Sequence, residues 1–474
     1  MTIDWALANY ITEWLIRLVM LVWVPQRRSP AAARTWLLCI FFFPYAGLLL
    51  YWLIGRPYMP RRRIDGQARV SHLIRTVGRE HFEKAGYTRP EVKPQFAQAV
   101  ALAENLGDFG IVGGNSIEFL ADYAATIDRL VADIDACHHH AHLLYYIFAD
   151  DDTGRRVGDA LARAVKRGVQ CRVLMDFLGS KKSRRTLAPR LREAGIEVHF
   201  MLPVGLLRRG TARYDLRNHR KIVVLDGRIG YVGSQNLVNA DFKHDLTYEE
   251  LVARVTGPAV TQLQVVFMAD HFFETGERFH EPAYFPMKEV HGTSPAQVLP
   301  SGPGYPHANT HNLLVTLIHG ARERVVITTP YFIPDSSLLQ ALQTAALRGV
   351  DVHLVVSRQA DQVLVGLAQR SYYEELLEGG VKIHLYQRRF LHAKHVSVDD
   401  SIALIGSSNM DIRSFRLNAE ISLLIYDPQA AAQLHAVQDR YFSNSHLLTL
   451  EEWQQRPRLT KIAQNMARLV DSLL

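Results

Sequence analysis

The same nineteen-residue pattern occurs twice in this chain. Residues 218–236 read NHRKIVVLDGRIGYVGSQN, and residues 391–409 read LHAKHVSVDDSIALIGSSN. Each contains His-x-Lys-x-x-x-x-Asp, followed seven residues later by Gly-Ser-x-Asn. The first copy supplies His219, Lys221, Asp226 and Asn236; the second supplies His392, Lys394, Asp399 and Asn409. A lone His-x-Lys-x-x-x-x-Asp arises by chance in roughly one chain in thirty, and the fixed Gly-Ser-x-Asn multiplies those odds by about one in ten thousand. Two copies in matching places therefore mark a duplicated unit.

The duplication extends upstream. HLLYYIFADD (142–151) leads to KRGVQCRVLMD (166–176), as VVITTPYFIPD (325–335) leads to LRGVDVHLVVS (347–357). AGIEVHFM (194–201) is echoed by GGVKIHLY (379–386). Apolar strand runs alternate with helical stretches, which predicts an α/β sandwich with a mainly parallel core in each half. The glycine of each Arg-Gly-Val fits the left-handed position that ends a helix. Residues 285–311, rich in Pro, Gly, Ser and Thr, read as a linker or edge loop between the halves.

In an extended strand, residues i and i+2 point the same way. His219 and Lys221 then project together, as do His392 and Lys394, with Asn236 and Asn409 returning on neighbouring strands. Paired about a pseudo-two-fold axis, the halves enclose two imidazoles, two ammoniums and two amides. Such a pocket suits a phosphodiester: lysines and amides hold the non-bridging oxygens, one imidazole attacks phosphorus, and the other protonates the leaving alkoxide. The lysines supply the positive charge, so neither a metal nor a cofactor is expected. Asp226 and Asp399 complete the candidate catalytic set, and their expected part is to brace the loop rather than to touch phosphorus.

The doubled motif resembles the signature of the phospholipase D superfamily. The wider text is similar to bacterial cardiolipin synthases over nearly the whole chain, notably in TTPYFIPD, RSYYEELLEGGVKIHLY, FLHAKHVSVDD and GSSNMDIRSFRLNAEISLLIYD. The resemblance implies two phospholipase D-like α/β lobes and a phosphohistidine intermediate. It makes His219 the nucleophile and His392 the acid and base. It also implies an acidic residue downstream of each motif that orients that motif's histidine, matched by Glu250 in the first half and Glu420 in the second.

The N-terminal segment fits the membrane anchor of that family. Residues 36–54, WLLCIFFFPYAGLLLYWLI, carry no charge and are long enough for a transmembrane helix. A second apolar segment, 6–24, contains Glu13 and Arg17, each costing about 3 kcal/mol at a bilayer centre. Four apart on a helix, they can neutralise each other, and the segment reads equally as a span or as an interfacial or re-entrant helix. The expected division is an anchor at 1–63, a connecting segment at 64–109, and lobes at 110–290 and 291–474. The second lobe ends in a helix whose Ile462, Met466, Leu469 and Leu473 share one face, expected to pack on the body, with a membrane-surface helix as the alternative. The arginines flanking the anchor favour catalytic lobes on the cytoplasmic side of the cell inner membrane, and no secretory signal is indicated.

Formal net charge is +7, which favours anionic partners. With a membrane anchor, those partners are phosphatidylglycerol and other anionic phospholipids rather than nucleic acid. The three cysteines form no disulfide or zinc framework. Cys137-His138-His139-His140-x-His142 reads as a helix-ending loop rather than a metal site. SKKSRR (180–185), LLRRG (206–210) and Gln387 to Phe390 read as solvated basic loops, with docking to lipid headgroups as the alternative. The leading function is transfer between two phosphatidylglycerols, giving cardiolipin and glycerol. Hydrolysis by a membrane-bound phospholipase D stays open, as, less strongly, does a phosphodiesterase or nuclease. Oligomeric state leaves no mark in the sequence.

Overall fold

A computed structural model describes residues 4–28, 30–55, 59, 61–78, 89–205, 213–243, 245–278, 281–286 and 290–470. The helix Trp5–Trp23 begins at Asp4, whose carboxylate accepts from the Ala6 and Leu7 amides. Among the described residues it is the one helix long and apolar enough to cross a membrane. Glu13 and Arg17 pair at 3.2 Å along it, and Arg17 also donates to the Phe41 carbonyl.

The expected continuous helix over 36–54 is corrected. The helix Pro30–Phe42 stops, and Pro44–Leu50 starts afresh. Pro44 offers no N–H and pushes the residue before it out of the helical region; Phe43 lies at φ −132°, ψ 75°. The chain then doubles back so tightly that a Cβ on Gly47 would stand 2.8 Å from the Ile40 Cα. Pro30–Phe42 rises only about 20 Å, short of the roughly 30 Å hydrocarbon core. The long helix is therefore the charged segment, and the uncharged one is a folded hairpin beside it.

The first lobe contains β1 (Val112–Leu120), β2 (His140–Tyr145), β3 (Gln170–Asp176), β4 (Glu197–Met201), β5 (Arg217–Asn218), β6 (Ile222–Leu225), β7 (Ile229–Gly233), β8 (Tyr248–Glu249) and β9 (Val252–Thr256). The second contains β10 (Ser294–Ser301), β11 (Arg324–Thr328), β12 (Phe332–Ile333), β13 (Asp351–Ser357), β14 (Lys382–Tyr386), β15 (Phe390–Leu391), β16 (His395–Val398), β17 (Ile402–Gly406), β18 (Met410–Asp411), β19 (Asn418–Ile425) and β20 (Ser445–Leu448). From the centre outward the lobes read β1-β9-β7-β6-β2-β3-β4 and β10-β19-β17-β16-β11-β13-β14, the same order twice. β1 and β10 pair antiparallel, with Val112 opposite Ala296 and Asn115 opposite Ser294, so both lobes share one sheet.

Two expectations are corrected by this topology. The core is mixed rather than mainly parallel: β2-β3-β4 and β11-β13-β14 are parallel, but β6, β7 and β9, like β16, β17 and β19, are antiparallel. Short turns at Asp226-Gly227 and Asp399-Asp400 join strand pairs that no helix separates, and a tight turn can only reverse the chain. The presumed linker at 285–311 contains β10, a central strand. Its Pro295 and Pro300 disguise it, because proline is rare inside sheets. Pro300 lies beyond the stretch that pairs with β1, where no ladder on that side needs its N–H.

Helices cover both faces. Tyr123–Ala136, Asp152–Lys166 and Leu187–Glu193 bury one face of the first lobe, and Asn309–Gly320, Ser336–Leu347 and Val363–Arg370 that of the second. Ala259–Thr275 and Pro428–Ser443 cover the opposite face, around a core to which both lobes contribute. Gly168 and Gly349 adopt the left-handed conformation expected of each Arg-Gly-Val (φ +89° and +88°). The arginine before each glycine donates to carbonyls at the end of an earlier helix: Arg167 to Ile134 at 2.9 Å, and Arg348 to His319 at 2.7 Å. The connecting segment carries the helix Ala97–Gly107, whose Ala99, Val100 and Ala103 are buried in the core of the second lobe.

Candidate active site

The two His-x-Lys segments are not regular strand. Each is an extended link that enters from a two-residue strand paired with the opposite lobe and leaves into a strand of its own lobe. β5 pairs in parallel with β19, and the His219 amide donates to the Ala419 carbonyl at 2.8 Å. β15 pairs in parallel with β8, and the His392 amide donates to the Glu249 carbonyl at 2.8 Å. His219 is thus threaded onto the strand that carries Glu420, and His392 onto the strand that ends one residue before Glu250.

The side chains follow the backbone. His219 Nδ1 lies 3.0 and 3.1 Å from the Glu420 carboxylate oxygens and 3.1 Å from the Ser407 carbonyl. His392 Nδ1 lies 2.6 Å from Glu250 Oε1. The expected pairing within each half is therefore corrected to a crossed one: Glu420 holds the first motif's histidine, and Glu250 the second's. The cause is the cross-lobe pairing of β5 and β15, which sets each imidazole beside the foreign carboxylate. With Nδ1 engaged, Nε2 is the nitrogen left to face the cavity.

One cavity of about 510 Å³ is lined by His219 and His392 together with Asn236, Asn409 and Glu250. The Asn236 Oδ1 accepts from the Ile147 amide at 3.1 Å, and Asn409 Oδ1 is buried with no hydrogen-bond partner among the described residues. Both asparagines sit in the irregular links that follow β7 and β17 rather than on a returning strand. Lys221 and Lys394 stand behind the imidazoles, each donating to the carbonyl of its own motif's histidine at 2.6 and 2.5 Å. Burial pushes Lys221 down to about 7 and Lys394 to about 8; the Lys394 ammonium lowers Lys221 further, while Glu250 and Glu420 pull both lysines back upward. Burial also lowers both histidines, His392 to about 4, although the paired carboxylates pull them back upward. Burial opposes ionisation of Glu250, yet His392 and Lys394 beside it hold its pKa at about 2. Both imidazoles are consequently neutral near pH 7, and His392 faces an ionised Glu250.

Asp226 and Asp399 are not brought to the cavity. Asp226 accepts from the amides of His138, His139 and His140 at 2.8, 2.8 and 2.9 Å, and Asp399 from those of Arg322, Glu323 and Arg324. Each fastens the loop that enters the first outer strand of its lobe, β2 or β11. Replacing Asp226 by alanine should cost about 2–4 kcal/mol, because three amides lose a charged acceptor. Denaturant unfolding should detect this while the folded fraction keeps its turnover within about threefold; a specific loss of turnover without loss of stability would contradict the bracing role.

The same loop explains the histidine cluster. His138 to His140 wrap the Asp226 carboxylate, and His140 and His142 are buried against Tyr284, with His142 stacked 4.5 Å from Phe267. The basic stretch 180–185 is anchored by Ser180, which bonds the Tyr146 carbonyl and the Phe148 amide. LLRRG (206–210), with Leu206 and Leu207, lies outside the described residues, as does Leu473.

Several cavity residues escaped the sequence reading. Tyr146 lies edge-on to His219 at 5.0 Å, and Tyr248 and Tyr331 flank His392 at 5.3 and 6.5 Å. Arg217 and Arg413 add positive charge to the wall. Behind His219, the Asp270 carboxylate accepts from Asn218 at 3.0 Å and from Arg220 at 2.7 Å, while Arg220 donates to the Glu420 carbonyl. The second lobe has only Leu391 and Ala393 at the matching places.

Comparison with known proteins agrees with this architecture. A family model described as "Cardiolipin synthase, PLD-like domain" matches residues 130–271 and 314–442, and one described as "Phospholipase_D-nuclease N-terminal" matches 14–56. Cardiolipin synthase A of Pectobacterium atrosepticum is 36% identical over 482 residues, covering 100% of this chain and 99% of that protein. Cardiolipin synthase A of Proteus mirabilis is 36% identical, covering 95% and 94%. The crystal structure of phosphatidylserine synthase from Haemophilus influenzae superposes with a TM-score of 0.61 at 18% identity, over 80% of this chain and 100% of that one. That likeness concerns the fold.

Proposed function

This chain belongs to the cardiolipin synthase family of the phospholipase D superfamily, and on that footing we propose that it joins two phosphatidylglycerols into cardiolipin and glycerol. The observation that carries the proposal is the crossed arrangement: two imidazoles face one cavity, each held at Nδ1 by a carboxylate of the opposite lobe. An Nδ1–H donated to a carboxylate leaves the Nε2 lone pair free for attack.

In the first step His219 Nε2 attacks phosphorus of one phosphatidylglycerol. The bond to the headgroup glycerol breaks, and the glycerol oxygen takes a proton from His392 Nε2. The anionic diester seated between the rings offsets the burial that holds His392 neutral, so it carries that proton in the complex. Glu420 stabilises the charge that develops on His219. In the second step the headgroup hydroxyl of another phosphatidylglycerol gives its proton to His392 and attacks phosphorus, and the P–N bond breaks. Asn236 and Asn409 donate hydrogen bonds to the non-bridging oxygens in both steps, and Lys221 and Lys394 behind the imidazoles supply positive potential. One phosphodiester replaces another, so the exchange needs no nucleotide.

The functional units of this reading are the anchor at 1–63, the connector at 64–109 and the lobes at 110–290 and 291–474. If Trp5–Trp23 is the span, the hairpin returns to its starting side. Arg27, Arg28, Arg34 and Arg63 then lie on the side of the lobes, whereas Met1 to Asp4 carry no Lys or Arg. That asymmetry supports lobes on the cytoplasmic face of the inner membrane. Purified protein incubated with phosphatidylglycerol in detergent and chelator should yield cardiolipin and glycerol in equal amounts. Phosphatidic acid as the main product would replace transfer by hydrolysis, and no turnover would reject the enzymatic reading.

A further inference from the structure

The C-terminal helix Arg458–Arg468 is mounted the wrong way round for a soluble protein. Its sequence is strongly amphipathic, and such a helix ordinarily turns its apolar face to the core. Here the buried residues are Gln464 and Ala467, while Leu459, Ile462 and Met466, together with Leu469 just beyond the helix, are 80%, 58%, 60% and 58% exposed. Its polar side makes the attachments: Lys461 pairs with Glu374 at 2.9 Å, Arg468 with Glu375 at 3.0 Å, and Gln464 accepts from Arg456 at 3.0 Å. The expectation that the apolar face packs on the body is thereby corrected.

Two neighbours give that face a direction. The helix packs on Val363–Arg370, whose Val363 and Leu364 are 80% and 46% exposed, while Gln362 and Val365 beside them line the catalytic cavity. At its far end, the Leu469 carbonyl accepts from Thr35 Oγ1 at 3.4 Å, on the first helix of the N-terminal hairpin. An apolar strip thus runs from the hairpin across the C-terminal helix to the cavity mouth, bordered by Arg458, Lys461 and Arg468.

We propose that this strip is a membrane-docking surface: the C-terminal helix lies in the interface of a bilayer containing anionic lipid, with Leu459, Ile462, Met466 and Leu469 among the upper acyl chains, and so holds the cavity mouth at headgroup level. Apolar burial on one side and basic residues at the border are what an interfacial helix on anionic lipid requires. The inference rests on the reading of a phospholipid substrate, because only such a substrate needs the mouth there.

The test uses the full chain with Cys39→Ser, since Cys137 and Cys171 are buried, and a bimane label at Ile462→Cys. In phosphatidylglycerol vesicles the label should be quenched by lipids brominated high on the acyl chain. An aqueous, unquenched label overturns the proposal. So does an apolar but bromine-insensitive label, which would mean that a second copy or another protein covers the face. This readout needs no turnover, so it stands apart from the fate of the proposed reaction. As a second measurement, Leu459→Gln/Ile462→Gln/Met466→Gln should lower activity on vesicles about tenfold. Activity on short-chain phosphatidylglycerol below its micelle concentration should stay within twofold. Equal loss on both substrates overturns docking, and absence of wild-type turnover on the short-chain substrate counts against the reaction rather than the surface.

Discussion

Alanine at either His219 or His392 should lower phosphatidyl transfer by about ten-thousandfold or more while the protein stays folded, since one variant loses the nucleophile and the other the proton donor. Both imidazoles stand on the cavity wall and make few attachments beyond one carboxylate each, so the fold should survive, as circular dichroism can verify. The two variants part company when the leaving group changes. A phosphatidyl ester of p-nitrophenol expels a phenolate that needs no proton. The His392→Ala variant should release nitrophenol from it in a burst close to wild type, whereas His219→Ala should remain inactive. Rescue of His219→Ala instead would exchange the two roles, and rescue of both would abandon the phosphohistidine intermediate.

The crossed carboxylates make the next-largest effect, and the same substrate diagnoses the crossing. Glu420→Gln should cost about a hundredfold to a thousandfold in turnover, because the imidazole loses both its orientation and the charge that stabilises its cationic form. It should resemble the nucleophile variant and gain nothing from nitrophenol. Glu250→Gln should resemble the acid variant and be rescued. Pairing within each lobe would give the opposite pattern. The pH profile supplies an independent sign. Burial lowers the His219 pKa and Glu420 raises it, so removing Glu420 leaves burial unopposed. The acid limb of kcat/KM, which reports loss of the neutral nucleophile, should move to lower pH in Glu420→Gln. Movement to higher pH would contradict the assigned contact.

Much of this was legible in the sequence because repetition exposes what single motifs hide. The doubled His-x-Lys spacing announced two lobes, and the Arg-Gly-Val glycines marked helix ends that the backbone confirms at φ near +90°. The crossed pairing was not legible. Spacing constrains residues that share a strand, whereas Glu420 reaches His219 only because β5 adds to β19, a contact between segments about two hundred residues apart. The apolar run at 36–54 misled for a local reason: hydropathy counts residues and ignores a Phe-Pro step that breaks the helix beneath them. β10 was hidden by its own prolines. The cavity tyrosines and Arg217 carry no motif, and only the folded chain collects them.

Because β1 and β10 are hydrogen-bonded neighbours and a common core underlies both halves, the described residues show no flexible joint along the line where the reaction takes place. Entry and exit must then proceed through a fixed aperture. The four-tailed product is bulkier than either two-tailed reactant, yet it gains no wider door. Its departure then becomes a sideways diffusion problem, sensitive to the fluidity of the surrounding lipid.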